Sequence, residues 1–439
     1  MIDVLSSREL PAWTEPERLF LAGPARDENC FWLDAGTDAV DGWSWVGTGA
    51  PTAGPPGDLD VTRTLTPPNE GGPFRGGWVG WLGYDDAAAS VGAPATMEGG
   101  VAHTAGLLVT RFVAFEHATR RLWAWAPHGD LDEFVAEVAR WQDRDIAAPV
   151  EVGTGRSRAV AHHARARHDP AEYAALIERC RDAIREGDAY QLCLTTRFDV
   201  SASVDPVAAF LRLRAATPSH HGGLVRVGRD ALVSASPERF LEIGDGVVRT
   251  RPIKGTRPRG ADTASDHALV ADLAGSIKER AENVMIVDLM RNDLQRVCEP
   301  GSVAVERLLE VETYAAVHQL VSTVAGRLRH GSTISDVLKA VFPAGSMTGA
   351  PKLAAMRILH SLENAPRGVF AGCFGWVAAD GRADLAMVIR SIVIHPHGAY
   401  VGAGGGITWR SVPADEVAEV AVKARGPLAA AGALLPAGW

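Results

Sequence analysis

The feature that most narrows the fold is a series of short, turn-bounded strands kept apart from a few well-capped helices. Ala189 to Phe198 alternates Tyr190, Leu192 and Leu194 with Gln191, Cys193 and Thr195, the two-residue period of a strand. Leu232 to Ile243 reads as a second strand. Ser236-Pro237-Glu238-Arg239 interrupts it, and a proline there marks an edge or a break. Val317 to Ser322, Val369 to Trp376 and Leu385 to His395 follow, the last two joined through the turn Ala379-Asp380-Gly381. In the final run Leu385, Met387 and Ile389 alternate with Ala386, Val388 and Arg390, which puts Arg390 on the second face. The helices are separate. Asp169-Pro170-Ala171-Glu172 supplies a cap, a proline at the first helical position and a first-turn acid. Tyr173, Leu176, Ile177, Cys180 and Ile184 then form an apolar stripe that ends at Gly187. Asp266 to about Leu294 predicts one highly charged helix, and Ser411-x-Pro413 opens the last clear one. Antiparallel-style strands with separate amphipathic helices predict an α+β fold.

The 439 residues are 46% hydrophobic, enough for a substantial core, and carry a formal charge of −9. That balance argues against a nucleic-acid binder, which needs a basic footprint. No apolar run reaches the roughly 18 residues of a membrane span. Met1-Ile2-Asp3-Val4 has neither the basic nor the apolar segment of a signal peptide. Five scattered cysteines with no Cys-x-x-Cys pair predict a reduced, cytoplasmic protein. Cys373 lacks the Gly-x-Cys-x-Gly spacing of a nucleophile turn. Residues 1–145 read as a first region, mostly strands, with glycines and aromatics dense from Gly71 to Asp85 and a helix from Leu131 to Trp141. The polar stretch 146–168, with His162, His163, Arg165, Arg167 and His168, predicts a linker. Residues 169–425 form the second region and 426–439 a tail.

Thr250-Arg251-Pro252-Ile253-Lys254-Gly255-Thr256 holds a lysine in a tight polar turn, with Pro252 fixing the backbone and Gly255 letting it bend. A lysine in a desolvated or electropositive site can act as a nucleophile. Glu238, at the proline break, is a candidate acid. Glu282, Glu416 and Glu419 are helical carboxylates of the kind a hard divalent ion takes. Arg390, Lys423 and the backbones of Gly349 and Gly404 to Gly406 suit substrate carboxylates. Phe342 to Lys352 is a glycine and hydroxyl loop opening into a helix with Pro351 at its first position. Spacing leaves open whether these groups converge. A solvated turn lysine and ordinary surface ion pairs are the alternatives.

Several motifs occur together and in order between about Pro170 and Ala424. They are Asp188 to Thr195, Ala235-Ser236-Pro237-Glu238-Arg239-Phe240, Pro252 to Thr256, Arg280-Ala281-Glu282-Asn283 with Asn292-Asp293, Phe342 to Lys352, and Gly404 to Ile407 with the helix beyond. This set resembles the chorismate-utilising enzymes. The opening region, with Pro73 to Tyr84, is similar to that of the anthranilate synthase and aminodeoxychorismate synthase large subunits. Lys254 and Asn283 resemble the aminodeoxychorismate synthase group; anthranilate synthases usually carry alanine at the first position and often histidine at the second. The resemblance implies large antiparallel sheets packed face to face with helices outside. It implies Lys254 and Glu238 as catalytic residues. It implies Gln191, Thr256, His318, Thr348, Gly349, Phe370, Arg390, Gly404, Gly405 and Lys423 at the substrate. It implies Mg²⁺ on Glu282 and Glu419, with Glu416 near or water-bridged. Chorismate and ammonia would give 4-amino-4-deoxychorismate, a precursor of p-aminobenzoate and folate. No glutamine-amidotransferase nucleophile motif is found, so a separate glutaminase subunit is the expected ammonia source. Thr217-Pro218-Ser219-His220-His221-Gly222 departs from the Asn-Pro-Ser-Pro pattern of related tryptophan sites, so bound tryptophan is not implied. Anthranilate synthase component I and a non-catalytic chorismate-binding subunit remain the alternatives.

Overall fold

The computed structural model describes residues 5–37, 39–63, 70–145, 162–314 and 317–439. Strand pairing in the main sheet is antiparallel and can be followed from the strand Ala105–Glu116. One edge of that strand pairs with Trp43–Thr52. From there the ladder runs through Asn29–Asp34, His221–Val227, Asp230–Ser236, Ser391–His395 and Gly398–Ile407 to Gln191–Val200. The other edge pairs with Gly77–Leu82, and a second ladder runs through Cys373–Ala378, Ala383–Met387, Arg239–Gly244 and Val247–Thr250 to Val317–Arg327. Ile253–Pro258 and Ala304–Thr313 flank that last strand. The α+β expectation therefore holds, with antiparallel ladders dominating.

Period-two side-chain alternation explains the layers. Phe31, Leu33, Trp45 and Cys193 point into an inner core with Phe374, Trp376 and Leu385. Their neighbours Trp32, Leu192 and Leu194 point the other way, against Tyr173, Ile177, Phe210, Val420 and Ala424 of the helices. Phe31, Phe112 and Phe198 are fully buried, each contributing about 1.5–3 kcal/mol over an exposed ring.

The helix Pro170–Glu186 follows its sequence signals: Asp169 and Glu172 form a capping box, and Gly187 closes it in the left-handed region. Five other expectations change. The charged helix is two, Thr263–Gly275 and Ile277–Gln295, because Ser276 leaves helical geometry and caps the second. The Leu385–His395 strand is broken, since Arg390 has φ +52° between Ala383–Met387 and Ser391–His395. Pro351 is the cap of Lys352–Glu363 and not its first residue. Residues 146–161 of the expected linker lie outside the described residues, but His162–His163 and Arg165–Ala166 are short strands. The expected tail is also structured. The last helix runs Pro413–Ala430, Ala433–Leu434 pairs with His162–His163, and the Trp439 indole donates to the His168 carbonyl at 3.0 Å. No described helix is long and apolar enough to cross a membrane.

Candidate active site

A cavity of about 510 Å³ opens where the ends of both ladders meet the helices Ile277–Gln295 and Pro413–Ala430. Lys254, Glu238, Thr256, Phe370, Arg390, Gly404, Gly405, Lys423, Glu282, Glu416 and Glu419 all line it. Residues spread over nearly two hundred positions of sequence thus face one space.

Lys254 is not in a free turn. It sits in the strand Ile253–Pro258, at a register shift between the pairs Ile253–Val321 and Thr256–Gln319. A bulge of this kind re-aims a side chain. Gly255 there has φ +84°, and a Cβ would stand 2.8 Å from Leu273 and 3.0 Å from Glu279, so glycine is required on two counts. Glu238 follows the Pro237 break between Asp230–Ser236 and Arg239–Gly244. Burial pushes its carboxyl up to about 7, while Lys254, the Ser346 hydroxyl and Lys423 draw it back. An acid of that strength is half protonated near neutrality, which suits proton donation.

The carboxylates form the opposite wall. Burial raises Glu282, with Lys254 and Lys278 opposing. Burial also raises Glu416, and the neighbouring Glu419 adds to the rise. Burial works against ionised Glu419 as well, but Lys423, Lys278 and Lys254 together hold Glu419 low. Lys423 Nζ lies 2.6 Å from Glu419 Oε1 and donates to the Gly404 carbonyl at 2.7 Å. Burial lowers Arg390, with Glu419 opposing. Among the described residues no three His, Cys, Asp or Glu side chains form a ready metal cage.

The glycine strand explains the close approach. A Cβ on Gly405 would stand 3.1 Å from Glu416 Oε2. One on Gly402 would overlap the Phe370 ring, and one on Gly406 would overlap the Gln191 carboxamide and come within 3.5 Å of Lys254 Nζ. Gln191 is buried, and neither of its side-chain polar atoms has a hydrogen-bond partner.

Four sequence expectations need correction. His318 does not line the cavity. Its Nε2 lies 2.9 Å from Asp266 Oδ1 and its Nδ1 2.9 Å from Thr313 Oγ1. Strand parity points its neighbour Gln319 inward instead. Thr348 spends its hydroxyl on the Ala344 and Gly345 carbonyls at 3.2 and 3.3 Å. Gly349 pairs with Leu192, and a Cβ there would strike the Gln191 carbonyl. Both residues build the wall behind the cavity. Gln191 likewise reaches it from behind Gly406. Lys278, Glu279, Ser346 and Met347 are lining residues that the sequence reading missed. The Ser276 cap, which starts a helix at Ile277, is the signal that would have placed the first two.

Residues 52–429 match the family described as chorismate binding enzyme. The chain belongs to that family. An aminodeoxychorismate synthase of Streptomyces pristinaespiralis is 42% identical over 81% of this chain and 51% of its own length. An anthranilate synthase component 1 of Streptomyces coelicolor is 39% identical over 84% and 75%. An aminodeoxychorismate synthase component 1 of Salmonella typhimurium is 36% identical over 76% and 72%. The chain thus spans about half the length of the first of these relatives. The crystal structure of anthranilate synthase component I from Streptococcus pneumoniae superposes with a TM-score of 0.72 at 30% identity, covering 84% of this chain and 83% of that one. The architecture expected from sequence is that of this solved relative.

Proposed function

We propose that the protein is an aminodeoxychorismate synthase of the component I type. It converts chorismate and ammonia to 4-amino-4-deoxychorismate. The observation that carries this reading is Lys254 and Glu238, its carboxyl raised by burial, in one cavity with basic and acidic walls. Lys254 Nζ attacks C2 of chorismate. Glu238 gives its proton to the departing C4 hydroxyl, which leaves as water. Ammonia then adds at C4 and expels the lysine, whose nitrogen leaves C2 with its electron pair and is restored as the amine. Arg390, Lys423 and the glycine-strand backbone hold the substrate carboxylates. Gly406 and Gln191 set the space beside Lys254.

Three carboxylates lining one cavity, Glu416 buried, Glu282 half-buried and Glu419 exposed, with the first two raised, suit a hard cation with oxygen ligands. Glu282 and Glu419 would hold Mg²⁺, with Glu416 near or water-bridged. The ion supplies neutralisation of the substrate's ring carboxylate. Ammonia comes from a separate glutamine amidotransferase subunit, and the product serves p-aminobenzoate and folate synthesis. The setting is cytoplasmic.

Incubation with chorismate, ammonium and Mg²⁺, followed by product analysis, tests this. Aminodeoxychorismate is expected. Fluorescent anthranilate would overturn the choice in favour of the anthranilate synthase reading.

A further inference from the structure

Tyr84, Asp85, Glu363 and Arg367 take no part in the chemistry above, yet they meet directly behind the cavity wall. The Arg367 and Glu363 side chains are 2% and 3% exposed. Arg367 Nε donates to Glu363 Oε2 at 2.8 Å, and Nη2 donates to Oε1 at 2.7 Å. Its other bonds go to main chain: Nη1 to the Met347 carbonyl at 2.7 Å and Nη2 to the Cys193 carbonyl at 2.8 Å. Glu363 Oε1 also accepts from the Thr195 amide and hydroxyl, each at 2.9 Å. From the opening region, the Tyr84 ring lies 4.4 Å from the guanidinium and Asp85 Oδ2 accepts from the Gly368 amide at 2.7 Å.

Cys193 and Met347 line the cavity. Ser346, next to Met347, lines the cavity together with Glu238, and its hydroxyl is buried with no hydrogen-bond partner among the described residues. Burying an ion pair is a poor route to stability, because apolar replacements often do as well. A planar fork that joins a carboxylate to two carbonyls does something apolar packing cannot: it fixes the relative position of separate segments. Here those segments are the strand Gln191–Val200, the loop around Ser346 and the end of the helix Lys352–Glu363.

We propose that Arg367 is a positioning residue. Held by Glu363 and Tyr84, it fixes the main chain of Met347 and Cys193 and so sets where the Ser346 hydroxyl stands relative to Glu238. It touches neither substrate nor reacting atoms. The opening region reaches the chemistry through this clamp. The inference rests on the proposed acid role of Glu238.

Arg367→Lys keeps the charge and removes the fork. A fall in kcat of about tenfold or more is expected, with KM for chorismate changed less than about threefold. The basic limb of the kcat–pH profile should move in the same direction as in Ser346→Ala. The charged groups facing Glu238 from other elements, Lys254 and Lys423, are untouched in both variants. The double variant should be no slower than the slower single one, within about threefold. A limb that stays in place, or losses that multiply, overturns the proposal. If Arg367→Lys does not fold, Thr195→Val removes one bond to Glu363 and should move the limb the same way by less; an unmoved limb there overturns it equally. Glu238→Gln separates the two readings. A basic limb that survives that change sinks the acid assignment and this inference with it. A limb that vanishes there but stays fixed in Arg367→Lys sinks the positioning role alone.

Discussion

Replacing Glu238 by glutamine probes the environment of the acid before any substrate is added. Burial carries the carboxyl from its ordinary 4.5 to about 7. A pKa higher in the folded than in the unfolded chain means that the protonated form favours folding. The contribution is complete below about 4.5, and it is lost as pH rises through about 7. Integrated between about pH 5 and about pH 8, the loss comes to about 2.5 kcal/mol. Glutamine has no such loss. Urea unfolding of both proteins at the two pH values should therefore show the variant gaining about 2.5 kcal/mol on the native chain at the higher pH. A gap constant within about 0.5 kcal/mol would refute the buried, raised carboxyl. The kinetic consequence has its own sign. The acid works only when protonated, so native kcat should fall above about pH 7, and Glu238→Gln should lose that limb with a rate about 10²–10⁴ lower.

Other consequences follow from the same cavity. Intact-mass analysis with chorismate but no ammonia should show an adduct on the native protein that Lys254→Ala lacks; an adduct on both would remove Lys254 from the nucleophile role. Gly406→Ala would press on the Gln191 carboxamide and crowd Lys254, and should lower kcat about tenfold or more without unfolding the chain. His318→Asn breaks a half-buried pairing with Asp266 and should cost about 1–3 kcal/mol of stability while leaving KM for chorismate unchanged. Gln319→Ala should do the reverse; a large KM effect from His318 would return it to the cavity.

Most of the strands and the capped helix after Asp169 were legible because alternation and capping are local signals. The site was legible in part. Lys254, Glu238 and the glutamates carry chemistry in their side chains, and the family resemblance tied them together. His318 shows the limit: the resemblance placed it at the substrate, but strand parity turns it to the other face, one residue from Gln319. Arg390 shows another, because its positive φ leaves no mark in a run of alternating apolar residues. The single long helix failed at Ser276, a cap lying inside an otherwise helical composition. The Arg367 clamp was invisible, since its partners Met347 and Cys193 contribute only carbonyl oxygens.

The ladder that crosses from the opening region into the catalytic region has a consequence for synthesis. Asn29–Asp34 pairs with His221–Val227, and Asn29 Oδ1 accepts from the Gly228 amide across 199 positions. The emerging chain must expose the first strand's edge until its partner leaves the ribosome. Bare strand edges are templates for pairing with other chains, and long-range β closure is slow. A ribosome-bound or trigger-type chaperone would therefore act chiefly on the first two hundred or so residues. Yield on expression should respond more to translation rate across that interval than to changes around the catalytic cavity.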